Sequence, residues 1–170
     1  MGVDPSLRGF AVAVAPLSWG GDWRALSFGK FGTSLKKGAT VHQRIDRAIE
    51  IADQVEAFVE LTKVTHAFFE GYAFSKRDMA HSLGEVGGIV RARLRKSGVV
   101  LVDAPIGSVR KTLVGRIPRG FDPKQFVREA LEAGGMPVEY ANDADIADAV
   151  AVLNFGMIEF GGFGFLAEAS

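Results

Sequence analysis

The sequence predicts an α/β protein built on a five-stranded mixed sheet flanked by helices. Three short apolar runs separated by turn residues open the chain with no helix between them, which predicts an antiparallel meander. Two more short apolar runs each follow a segment of helical periodicity, which predicts parallel additions to that meander. Apolar residues make up 48% of the 170, with no polar low-complexity tract, internal repeat or linker. Residues 1–170 are therefore expected to form a single domain with a proper core.

The first strand ends at Asp4 and turns through Pro5 and Ser6; the second covers residues 9–15. A loop at Gly20, Gly21 and Asp22 leads into the third, residues 23–31. Thr40 with Gln43 forms a capping-box signature for a long helix. Val41, Ile45, Ala48, Ile49, Ala52, Val55 and Val59 then keep helical spacing. Residues 64–70 read as the fourth strand, parallel to the first, so Asp4 and Glu70 should end side by side. That C-terminal edge is where open α/β sheets place ligands.

Ser75 with Asp78 starts a second helix that reaches Lys96. Met79, Leu83, Val86, Val90 and Leu94 form its stripe, with Gly84, Gly87 and Gly88 beside it. Each helical glycine costs about 1 kcal/mol against alanine. The cluster therefore predicts close approach of another backbone: either the helix of a two-fold partner packing on Met79, Leu83, Val86, Gly87, Val90 and Leu94, or simple packing on the sheet. The fifth strand covers residues 99–104, and residues 105–125 read as a loop-rich basic stretch. Asp122 and Pro123 occupy favoured cap and first-turn positions of a third helix that stops near Gly134 and Gly135. Asn142 or Asp143 caps the last helix, and the tail FGGFGF reads as a strand or hydrophobic flap.

Cysteine is absent, which excludes disulfides, thiolate metal sites and a cysteine nucleophile, and fits a reducing, cytoplasmic location. His42, His66 and His81 are scattered and do not suggest zinc. No window approaches the ~20 apolar residues of a membrane span. Asp4 and Arg8 interrupt any signal sequence. The zero net charge hides a strong asymmetry. Residues 91–124 hold nine Lys or Arg against two acids, an excess of +7, whereas residues 129–170 hold eight acids and no Lys or Arg. A phosphate-binding surface beside an acidic pocket would produce that pattern.

The acids carry the chemistry. Asp145 and Asp148, three apart in an Ala/Val-rich helix, share one face. Carboxylates facing a core need a partner. With Asp4 and Glu70 they make a set of four hard oxygen ligands suited to Mg²⁺, with Mn²⁺ able to substitute. Two such ions about 4 Å apart can activate water and stabilise the leaving oxygen of a phosphodiester. Any one of these acids alone reads as a helix-cap or surface residue; four at matched positions do not. Arg110, Lys111, Arg116, Arg119 and Lys124 are candidates for phosphate contacts. Lys76 and Arg77 beside Tyr72 and Phe74 could combine backbone contact with base stacking.

Element order and motifs together resemble the RNase H-like/retroviral-integrase superfamily, and within it the RuvC family of Holliday-junction resolvases. GVDPS resembles the family's first acidic motif and FFEGY its second. ADIADAVAV resembles its C-terminal D-x-x-D motif. SLGEVGGIV is similar to its dimer helix, and VRKTLVG to its basic stretch, with Arg110 in place of the usual lysine. The motifs are individually weak, but their order and spacing along almost the whole chain are specific. The resemblance implies a homodimeric crossover junction endodeoxyribonuclease with two Mg²⁺ per site, held by Asp4, Glu70, Asp145 and Asp148. Lys124 would be the second basic residue of the family pattern, and Tyr72 or Phe74 the base-stacking aromatic. A helicase partner is implied by the likeness alone. Alternatives are a related nuclease acting on other branched DNA or on RNA-containing substrates, and a non-catalytic junction-binding protein. An actin-like or sugar-kinase ATPase fits less well, because Asp4-Pro5-Ser6 lacks the glycine of its phosphate loop.

Overall fold

A computed structural model describes residues 1–5, 10–32, 35–36, 38–71, 77–117 and 120–160, and of residues 77–83 the backbone only. The meander comprises β1 (Gly2–Pro5), β2 (Phe10–Val14) and β3 (Ser27–Phe31), followed by helix α1 (Val41–Thr62) and strand β4 (His66–Glu70). Helix α2 (Arg77–Lys96) leads to β5 (Val100–Ala104). Four more helices follow among the described residues: α3 (Ile106–Val114), α4 (Pro123–Ala133), α5 (Val138–Ala141) and α6 (Ala144–Glu159). The strands form one sheet in the order β3-β2-β1-β4-β5. β1 pairs antiparallel with β2 and parallel with β4; β2–β3 is antiparallel and β4–β5 parallel.

Strand alternation divides the core between the two faces. Val3, Val12 and Phe69 point to the face covered by α1 and α2, where they meet Ile51, Val55, Val90 and Leu94. Ala11, Ala13 and Phe68 point to the other face, where α3, α4 and α6 supply Val109, Leu131, Val150 and Leu153. Helix α6 is buried along most of its length, from Ile146 to Met157. It lies so close to β1 that a Cβ on Gly2 would fall 2.2 Å from the Ala149 carbonyl oxygen. At its other end a Cβ on Gly156 would strike the Phe68 ring.

Several expectations are corrected. The third strand begins only at Ser27, because Asp22 caps a short 3-10 turn, Trp23–Ala25, by accepting from the Arg24 amide. In α1 the buried stripe runs through Ala48, Ile51, Ala52, Val55 and Val59, while Val41 and Ile49 are exposed. The basic stretch is not loop-rich: α3 forms within it because Val109 and Leu113, four apart, bury together beside α6. Of the two readings of the α2 stripe, packing on the chain's own sheet holds for its described residues. Val86, Val90 and Leu94 are buried in the chain's own core, and Gly87 is buried as well. Val86, Val90 and Leu94 are thus covered by α1 and the sheet. The side chains of Met79 and Leu83, and residues 161–165 of the tail, lie outside the described residues.

The seat of α6 on β1 is testable. Gly2→Ala forces a methyl into helix backbone and should destabilise by at least about 1–3 kcal/mol. Gly107→Ala, on α3 with nothing within 4 Å of the added carbon, should be neutral or stabilising by up to about 1 kcal/mol. Denaturant titration of both variants checks the contrast; equal effects would mean that α6 does not rest on Gly2.

Candidate active site

Sheet register assembles the site. Gly2 pairs with Phe68 and Val3 with Phe69, so the next residues, Asp4 and Glu70, stand side by side at the C-terminal ends of β1 and β4. Glu70 lies opposite Ala104, Asp4 opposite Ala11, and Ala11 opposite Lys30. Cross-strand partners share a face. Ala11 and Ala104 belong to the core beneath α6, so the whole row from β5 to β3 faces that helix. Helix α6 starts above the row. Asp143 caps it, accepting from the amides of Asp145 (3.1 Å) and Ile146 (3.3 Å). Asp145 and Asp148 follow in its first turns, with side chains 24% and 21% exposed.

These acids feel one another. Asp4 is buried, and its carboxyl is pushed up to about 8, first by burial and then by the charges of Glu70, Asp148 and Asp145. Glu70 is raised for the same reasons, burial before the Asp148 charge. Arg110, the hydrogen bond from Asp4 and Lys124 act against that rise. Asp4 in its protonated form thus donates to the Glu70 carboxylate.

Two lysines supply local counter-charge. Lys124 Nζ donates to Asp148 Oδ2 at 2.8 Å, and Lys124 also feels Asp4 and Glu70. Lys30 Nζ lies 2.8 Å from Asp145 Oδ2 and 2.9 Å from both oxygens of Asp143. Among the described residues no three His, Asp or Glu side chains are drawn together as a finished metal cage. Asp4 engages Glu70, while Asp145 and Asp148 are each held by a lysine. The donor chemistry nevertheless fits a divalent cation: four oxygen-only acids crowd one place, and a hard cation relieves their repulsion better than protons do. Asp4, Glu70, Asp145 and Asp148 are the residues that could hold it.

A cavity of about 300 Å³ opens beside Asp148, between α4 and α6, lined among others by Lys124, Gln125, Arg128 and Asn142. Of the expected phosphate contacts, Arg110 is half-buried on α3, close enough to Glu70 to interact with it. Lys111, Arg116 and Lys124 are exposed. Tyr72, Phe74, Lys76 and Arg119 lie outside the described residues, as does the side chain of Arg77. Lys30 was not anticipated from sequence. The available signal was a lysine on the same face of β3 as the core residue Phe28, two positions earlier.

No protein-family model and no curated protein matches the sequence. Solved structures do match in fold. Thermus thermophilus RuvC in complex with a Holliday junction substrate superposes with a TM-score of 0.68 at 17% identity, covering 95% of each chain. Another Thermus thermophilus RuvC structure gives 0.62 at 18% identity, again covering 95% of each chain. The chain therefore has the RNase H-like fold as RuvC has it, with the same kind of five-stranded mixed sheet and flanking helices. Among the described residues no helix is long and apolar enough to cross a membrane.

The crowding of acids sets a pH dependence. A carboxyl raised to about 8 keeps, in the folded state, a proton that the unfolded chain releases near its ordinary value of 3.8. Stability of the metal-free protein should therefore fall as pH rises between those values. In EDTA, thermal unfolding should occur at progressively lower temperature from pH 5 to pH 8. Asp4→Asn should flatten this slope and stabilise at pH 8 by on the order of 1 kcal/mol or more. Matching slopes in wild type and Asp4→Asn would show that Asp4 is not held protonated.

Proposed function

We propose that the protein is a metal-dependent endonuclease that resolves four-way DNA junctions by paired, symmetric phosphodiester hydrolysis. The observation that carries this reading is the meeting of Asp4, Glu70, Asp145 and Asp148, from remote parts of the chain, at the C-terminal edge of the sheet. They meet in a fold shared with a RuvC whose structure contains a Holliday junction substrate.

In this reading the four acids hold Mg²⁺, with two ions per site and Mn²⁺ as a substitute. Bound there, Mg²⁺ supplies Lewis-acid stabilisation and lowers the pKa of water. The chain's own residues do the rest. Asp4 and Glu70 would hold the metal as carboxylates, with the proton that Asp4 otherwise carries released to solvent. Lys124 stands at the cavity mouth, where its ammonium can meet a scissile phosphate beside Asp148. Arg110 brings positive charge to the Glu70 side. Lys111 and Arg116 extend the basic surface outward along the DNA backbone, where Arg119, Lys76 and Arg77 are further candidates and Tyr72 or Phe74 a base-stacking platform.

Paired cuts on like strands need two sites, which a homodimer supplies. The α2 face available for that contact carries Gly84 and Gly88, exposed, four residues apart and with nothing near an added Cβ. That face replaces the buried Val86, Val90 and Leu94.

A labelled mobile junction with Mg²⁺ tests the proposal, alongside flap, RNA–DNA hybrid and single-strand controls. Wild type should make paired, symmetric nicks in the junction. Asp4→Asn should lose several kcal/mol of charge stabilisation, hence about a thousandfold in cleavage, with junction binding retained. Unchanged cleavage by Asp4→Asn would end the catalytic reading, and preferential cutting of the hybrid would redirect the substrate class. Replacing Lys111 and Arg116 by alanine should weaken junction binding. It should also flatten the plot of log affinity against log salt by about 0.9 for each phosphate that is no longer neutralised; an unaltered slope would remove both from the interface.

A further inference from the structure

The row of residues that carries Asp4 and Glu70 ends, two strands from Asp4, in a lysine. Asp4, Ala11 and Lys30 are successive cross-strand partners, so Lys30 shares the face of the acids at a distance of about 10 Å along the sheet. Only the methyl of Ala11 stands between them in that row. The Lys30 stem carries its ammonium up to the start of α6. There it makes one bond to Asp145 Oδ2 (2.8 Å) and one to each Asp143 oxygen (2.9 Å). An ammonium has three donors, and all three point at these two residues.

We propose that Lys30 is a positioning residue that orients Asp145 as a metal ligand. The inference rests on the reading of the acids as a metal site. Asp143 is itself fixed, because its Oδ1 accepts from the Asp145 and Ile146 amides. Lys30 therefore bridges the capping Asp143 and Asp145 and holds one oxygen of Asp145, Oδ2, which leaves Oδ1 without a bond to Lys30. A ligating carboxylate that lacks such an outer partner swings among rotamers, and loss of an outer partner costs 10–100-fold in metal affinity. The Lys30 side chain is 40% exposed, and exposed ion pairs contribute little to folding. Its place is therefore better explained by the ligand it holds than by stability.

Calorimetric titration of Mn²⁺ alone into the full chain tests this without DNA. Lys30→Met should weaken Mn²⁺ binding about 10–100-fold while the unfolding temperature in EDTA stays near wild type. Lys30→Arg, which can keep the contact, should stay within a few-fold. Asp143→Asn keeps the cap but loses the charged anchor, so it should weaken Mn²⁺ binding in the same direction and guards against misfolding of the first variant. On a junction substrate, the Lys30→Met cleavage rate should return toward wild type at saturating Mg²⁺, which a purely structural role would not produce. Mn²⁺ binding by Lys30→Met as tight as wild type, or tighter, overturns the proposal and shows the lysine to be a mere tether or a competitor of the metal. Failure of wild type to bind Mn²⁺ overturns the metal reading itself. Wild type that binds Mn²⁺ in a Lys30-dependent way yet cuts no junction overturns only the nuclease reading.

Discussion

A carboxylic acid buried on the middle strand of a sheet is the constraint around which this molecule is organised. Asp4 is 8% exposed, and three other acids press on it. Such a group is tolerated only with a proton, a hydrogen-bonding partner or a counter-ion. The fold does not let the acids drift apart to ease the strain. Gly2 holds the α6 backbone against β1, and Gly156 seats the far end of the helix on the Phe68 ring. The same contacts that secure the core keep Asp145 and Asp148 above Asp4 and Glu70.

The two faces of the sheet divide the labour. On one, α1 and α2 bury an apolar layer that includes Val55, Phe69, Val90 and Leu94. On the other, the core beneath α6 gives way at the C-terminal strand ends to acids, lysines and the cavity beside α4. Basic and acidic residues separated in sequence meet on this second face: Lys124 on Asp148, and Arg110 near Glu70. A chain of zero net charge thus carries a strongly polarised edge.

Much of this was legible in the sequence because strand and helix periods were clean and the acids stood out on apolar backgrounds. The parallel pairing of β1 with β4 followed from the helix between them, and it brought Asp4 to Glu70. What escaped has physical reasons. Val86, Val90 and Leu94 form a stripe that any amphipathic helix would show, and periodicity cannot say whether its own sheet or another chain covers it. The nine residues of α3 hold only two buried apolar positions, Val109 and Leu113, within a basic segment, so the helical signal was faint. Lys30 acts across 113 residues, through its bonds to Asp143, and nothing local to SFGKF announces a partner on the last helix.

Lys30 has one more consequence, which follows from where β3 lies. Among the described residues β3 and β5 are the outermost strands, and an open edge invites a foreign strand to add to it. Natural sheets discourage that with charges. β3 carries Lys30 at its rim, and β5 carries Asp103, 81% exposed and tied to Arg91. Both borders of the sheet thus carry a charged side chain of the kind that discourages a foreign strand from pairing there.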